Sequence, residues 1–103
     1  MILVTTEAVA GARVAATIGI VYACIPYFGT KYAEGIGDLR GGTAPDIPAV
    51  LERRRAELLA RLVVRAAGVG ADAVLAVRMD TREITPIWRE LCAYGTAVRL
   101  AKT

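Results

Sequence analysis

No histidine, serine, asparagine or glutamine occurs in the 103 residues. Without an imidazole, Ser-His and Cys-His nucleophile systems have no base, and zinc sites built from Cys and His lose their nitrogen ligands. Carboxylate, tyrosine, lysine and thiol chemistry remains, with Lys31 and Lys102 the two lysines. Cysteine is scarce as well. Cys24 and Cys92 lie far apart in the chain, form no C-x-x-C pair, and each sits inside an apolar run, where a free thiol ordinarily packs as a small hydrophobe. A membrane-length apolar run is missing: the longest uncharged stretch, residues 14–30, falls short of the ~20 residues a spanning helix needs and carries Gly19, Pro26 and Gly29. The N-terminus lacks the basic segment of a secretory signal and reads as a first strand, which makes the cytoplasm the expected location. Charge of one sign is also modest. Thirteen basic residues stand against ten acidic ones, and Arg53, Arg54 and Arg55 share a helix with Glu52 and Glu57, so a solvated helix face is expected in place of a nucleic-acid surface.

What is present is apolar residue in quantity: 55% hydrophobic, with a mean hydropathy of +0.46. A chain of this length makes one domain, residues 1–103, and a lone copy of that size hides only ~65% of the surface of its unfolded chain. Residues 17–25 are rich in β-branched and aromatic types and apolar on both faces, Ile18, Ile20, Tyr22 and Cys24 alternating with Gly19, Val21, Ala23 and Ile25. Beyond Pro26, the spacing of Phe28, Tyr32, Ile36 and Leu39 predicts a short, glycine-interrupted helix. Asp46 is placed to cap the next helix, with Pro48 in its first turn. There Val50, Leu51, Leu58, Leu59, Leu62 and Val63 make one stripe, and Gly68-Val69-Gly70 stops it. Ala73, Leu75, Val77 and Met79 predict one apolar face of a strand, and residues 88–100 a last long strand.

Strand, strand, short helix, long helix, strand, strand gives an α+β fold: a small antiparallel sheet packed on one long helix. One helix covers one face of a sheet. The second apolar face of residues 17–25 therefore calls for another surface, most simply a copy of the same chain in a closed ring or dimer.

Thr5-Thr6, the segment from Gly35 to Gly42 with its Asp38-x-x-Gly41-Gly42 core, Gly70-Ala71-Asp72-Ala73-Val74 and Gly95-Thr96-Ala97-Val98 follow one another in that order. In this the chain resembles the YbjQ-like family, also labelled a putative heavy-metal-binding domain, over nearly its whole length. The resemblance implies a dodecin-subunit-like fold assembled as a homopentamer. The loop departs from the family pattern at Gly37 and at Thr43-Ala44.

The residues themselves favour a non-catalytic oligomeric binding or scaffold protein. Its ligand site, for a small molecule or an anion, is expected at subunit interfaces near Asp38, Arg40, Gly41 and Gly42, where loop amides stand beside the start of the long helix. No nucleic-acid or membrane partner is expected. A metal is suggested by the family label alone: Cys24 and Cys92 are the candidate soft ligands, distant in the chain, and Asp38, Asp46, Asp72, Asp80 and Glu83 the candidate hard ones, none in a calcium-loop pattern. The alternative is a small enzyme using carboxylate or thiol chemistry at a subunit interface, for which Tyr32, Asp38 and Arg40 would have to share a pocket.

Overall fold

The computed structural model describes residues 1–28, 46–85 and 88–102. Its elements are β1 (Ile2–Leu3), β2 (Ala12–Phe28), α1 (Asp46–Gly68), β3 (Ala73–Glu83) and β4 (Trp88–Lys102). They form one four-stranded sheet in the order β1-β3-β4-β2, with α1 against one face. The α+β expectation holds. The all-antiparallel sheet does not: β4 runs antiparallel to both β2 and β3, but β1 joins β3 in parallel, with Ile2 opposite Ala73 and Leu3 opposite Val74. The reason lies in the connection. After β1 the chain crosses the sheet face opposite α1, where Val4 and Val9 pack on Ala73, Leu75 and Val98, and enters β2 on the far edge without reversing direction. The predicted short helix, and the loop holding Asp38, Arg40, Gly41 and Gly42, lie outside the described residues.

α1 begins at Asp46 and turns Leu58, Leu62 and Ala66, spaced four apart on one face, fully into the core. They meet Val21, Ala23 and Ile25 of β2, Ala93 and Ala97 of β4, and Val74 and Val77 of β3. One flank of α1 is wet and charged, Glu57 pairing with Arg54 at 3.6 Å and with Arg61 at 3.1 Å. The stop signal works as a six-residue cap. Gly70 sits at φ +79°, its amide donates to Ala67 O at 3.0 Å, and the Ala71 amide donates to Ala66 O at 3.1 Å.

Two irregularities alter the predicted faces. β3 carries a bulge between Leu75 and Arg78, with Ala76 at φ 52°, so Val74 and Val77 point together toward α1 while Ala73 and Leu75 point to the other side. The single apolar row of Ala73, Leu75, Val77 and Met79 is therefore split. Thr5-Thr6 holds the bulge in place: the Ala76 amide donates to Thr6 O at 2.8 Å, the Val77 amide to Val4 O at 2.9 Å, and Arg78 Nη1 to Thr5 O at 2.9 Å. In β2 the register shifts between Thr17 and Gly19, making Ile18 an extra residue out of line with Ile20, Tyr22 and Cys24.

Gly95 faces the β3 bulge so closely that a Cβ there would meet Val74 Cγ1 at 2.6 Å and the Leu75 carbonyl oxygen at 2.8 Å. At helical Gly68 the same atom meets nothing within 4 Å. Gly95→Ala is expected to cost about 1–3 kcal/mol by overpacking, whereas Gly68→Ala should be neutral or stabilise by up to ~1 kcal/mol. Urea unfolding of both variants checks the contrast.

Candidate functional site

The antiparallel register of β2 and β4 is continuous from Gly19–Ala97 to Phe28–Trp88, and within it Cys24 lies directly opposite Cys92. The two cysteines are thus neighbours in space, which corrects their separation in the chain: their Sγ atoms are 2.7 Å apart. Neither packs into the core. Both are half-buried, on the sheet face away from α1, and both are free thiols. Glu90, two residues before Cys92 and so on the same side of β4, accepts a hydrogen bond from Cys92 Sγ at 3.0 Å. Cys92 has a single thiol proton, and the geometry directs it to Glu90.

The ligand atoms of Cys24, Glu90 and Cys92 all lie within 4.8 Å of one another. Two sulfurs and a carboxylate oxygen suit a soft or borderline cation. Hard cations such as calcium and magnesium demand six or more oxygens, and this donor set cannot supply them. The donor types suit a thiophilic metal; binding would displace two thiol protons and part the sulfurs from 2.7 Å to the wider spacing that tetrahedral ligation requires. Burial pushes the Cys92 thiol well above its ordinary range, and the Cys24 thiol and the Glu90 carboxylate push it further in the same direction.

Sequence reasoning named both thiols but not Glu90. The signal was a Glu-x-Cys step on a strand, where alternate residues share a side, but its meaning depended on which residue of β2 stands opposite. The acidic candidates are dispersed. Asp72 Oδ2 accepts the Leu100 amide at 2.9 Å and ties the start of β3 to β4. Asp80 is exposed and hydrogen-bonded to the Tyr94 hydroxyl, a bond that holds the Tyr94 proton above its usual range. Glu83 is exposed at the end of β3, opposite Arg89. Asp46 opens α1. Asp38, Arg40, Gly41 and Gly42 lie outside the described residues, as does Tyr32.

Next to the thiols, the same sheet face carries an apolar belt. Ile20 is 79% exposed, Tyr22 60% and Tyr94 39%, and the register places Tyr22 directly opposite Tyr94. Among the described residues β2 has no partner on its outer edge. A groove of about 300 Å³ runs between that strand and α1, lined by Ala23, Cys24, Glu57, Ala60, Arg61, Val64 and Arg65. No helix among the described residues is long and apolar enough to cross a membrane.

The profile of a family described as putative heavy-metal-binding, the YbjQ-like proteins, matches residues 1–101. A UPF0145 protein of Acidothermus cellulolyticus is 35% identical over 105 residues, covering 99% of this chain and 97% of its own. One from Mycobacteroides abscessus is 38% identical, with 95% and 94% covered, and one from Thermus thermophilus 39% identical, with 96% and 90% covered. Among solved structures, a protein with unknown function from Pediococcus pentosaceus superposes with a TM-score of 0.64 at 16% identity, 98% of each chain being covered, which is a likeness of fold. The chain belongs to the YbjQ-like, putative heavy-metal-binding family.

The raised Cys92 thiol ties stability to alkaline pH. The folded chain holds this proton more tightly than the unfolded chain, so the unfolded state releases it first as pH rises past the ordinary thiol range, ~8.5, and stability falls from there upward. For the reduced, metal-free protein, the urea midpoint should drop between about pH 8 and pH 10, and Cys92→Ser should flatten that slope. Equal slopes in the two proteins would contradict the assignment.

Proposed function

We propose that this member of the family is a non-catalytic binding protein for a thiophilic metal ion, held by Cys24, Cys92 and Glu90, and that it works as a homo-oligomer. The observation that carries the reading is the cross-strand thiol pair with a carboxylate on the same side of the sheet, Sγ to Sγ at 2.7 Å and Sγ to Oε1 at 3.0 Å. The family's description as putative heavy-metal-binding supports it. When bound, such an ion would supply a positive charge that keeps both sulfurs deprotonated. The side chains present do the rest: Cys24 and Cys92 offer the soft donors, and Glu90 offers an oxygen and a negative charge. Free thiols persist most readily in a reducing compartment, which supports a cytoplasmic location.

Assembly rests on the apolar belt and on the outer edge of β2, which is unpaired among the described residues. A 17-residue edge strand with apolar neighbours is a template for pairing unless something covers it. A second copy of the chain is the partner proposed here, in a ring of five as the family resemblance implies. Ile20 and Tyr22 are the residues it would cover first.

Two measurements test the two halves. Titrating the reduced full chain with cadmium should raise the ultraviolet thiolate-to-cadmium charge-transfer band to one ion per chain. Cys24→Ser and Cys92→Ser should each abolish tight binding, and Glu90→Gln should weaken it by roughly tenfold, ~1.4 kcal/mol; wild-type binding in both serine variants would refute the site. Native mass spectrometry at micromolar concentration should give a closed oligomer that Ile20→Glu with Tyr22→Glu converts to monomer. A well-behaved wild-type monomer would refute the assembly.

A further inference from the structure

We infer that Cys24 and Cys92 are a dithiol–disulfide pair: a small-molecule disulfide such as glutathione disulfide oxidises them to a reversible cross-strand bond that pins β2 to β4. The geometry carries this without reference to any metal. Directly opposed residues on antiparallel strands have Cα atoms ~4.5 or ~5.5 Å apart, and both values lie in the range that a disulfide spans without moving the backbone. Here the strands hold Cys24 and Cys92 in that relation, with the sulfurs already at 2.7 Å. Both side chains are half-buried and not sealed in the core, and β2 is an edge strand that can adjust to the shorter contact. Their surroundings on this side of the sheet are polar: Asp80 of β3 stands opposite Cys92, and Glu90 is two residues before it on β4.

The exchange balances in two steps. Cys24 gives up its thiol proton to solvent, and its thiolate attacks one sulfur of glutathione disulfide, forming a protein–glutathione mixed disulfide and expelling one glutathione thiolate, which takes up a proton from solvent. The Cys92 sulfur then attacks the Cys24 sulfur, its proton passing to the Glu90 carboxylate that already accepts its hydrogen bond, and the second glutathione thiolate leaves. Two protein thiols are oxidised, and one glutathione disulfide is reduced to two glutathione molecules.

One consequence rests on the metal-binding reading proposed above. The disulfide leaves no thiolate for an ion, so oxidation would release a bound thiophilic metal and reduction would restore the site. A transient bond of this kind is the usual form of disulfide in a reducing compartment.

The experiment is intact-mass spectrometry of the full chain equilibrated in glutathione buffers of stepped redox potential. The wild type should pass from two free thiols to a species lighter by two hydrogens, monomeric under denaturing, non-reducing conditions and returned to two thiols by excess glutathione. Cys92→Ser should stop at one glutathione adduct on Cys24. Accumulation of a doubly glutathionylated wild type, or of disulfide-linked dimers, or persistence of both thiols in buffers that glutathionylate Cys92→Ser, would overturn the inference. Run in parallel with cadmium-loaded protein and a cadmium indicator, the assay separates the two proposals. Disulfide formation by a protein that binds no cadmium when reduced leaves the inference standing and removes the metal reading; cadmium binding by a protein that never closes the disulfide does the reverse.

Discussion

The pairing of β2 with β4 is the constraint on which the rest of the molecule depends. These are the two longest strands, and β4 is the central one, bonded on its other side to β3. Because side chains alternate along a strand, one register decides both faces at once. Val21, Ala23 and Ile25 line up with Gly95, Ala93 and Leu91 beneath α1, and Tyr22 and Cys24 line up with Tyr94 and Cys92 on the other side. A slip of one residue would turn every one of these over. The helix-side core, the apolar belt and the thiol pair are therefore consequences of a single alignment.

Backbone irregularities tune that alignment. The β3 bulge at Ala76 adds a residue on β3 alone, which lets Val74 and Val77 both reach α1, and it frees amides that the N-terminal segment uses. The close approach opposite the bulge requires glycine at 95, since Val74 and the Leu75 carbonyl occupy the space of a Cβ. Thus Thr5-Thr6 and Gly95-Thr96-Ala97-Val98, two words that mark the family in the sequence, meet around one feature of the fold. Gly70-Ala71-Asp72-Ala73-Val74 has an equally local meaning: it ends α1, turns, and uses the Asp72 side chain to accept the Leu100 amide.

Periodicity made α1 and the long strands legible because both signals are local. The stripe through Leu58 and Leu62, the stop at Gly68-Val69-Gly70 and the alternation of Val21, Ala23 and Ile25 with Tyr22 and Cys24 all need only near neighbours in the chain. The parallel attachment of β1 and the bulge in β3 were not legible, since each depends on where a distant segment docks. The site divides in the same way. Cys24 and Cys92 stood out as the only thiols, yet what makes them a pair is a long-range register that no local pattern encodes. Glu90 became significant only once that register was known.

The side-chain inventory and the geometry lead to the same chemistry. A chain without imidazole has little means to bind a soft cation except thiolate, and the fold brings its two thiols together with one carboxylate. The belt of Ile20, Tyr22 and Tyr94 beside them leaves the same sheet face apolar and exposed, and it is the surface proposed to meet other copies of the chain. X-ray absorption at the metal edge of zinc-loaded protein tests the central claim most directly. The account predicts a first shell containing two sulfurs per ion at ~2.3 Å, completed by oxygen; a shell of oxygen and nitrogen alone would contradict it.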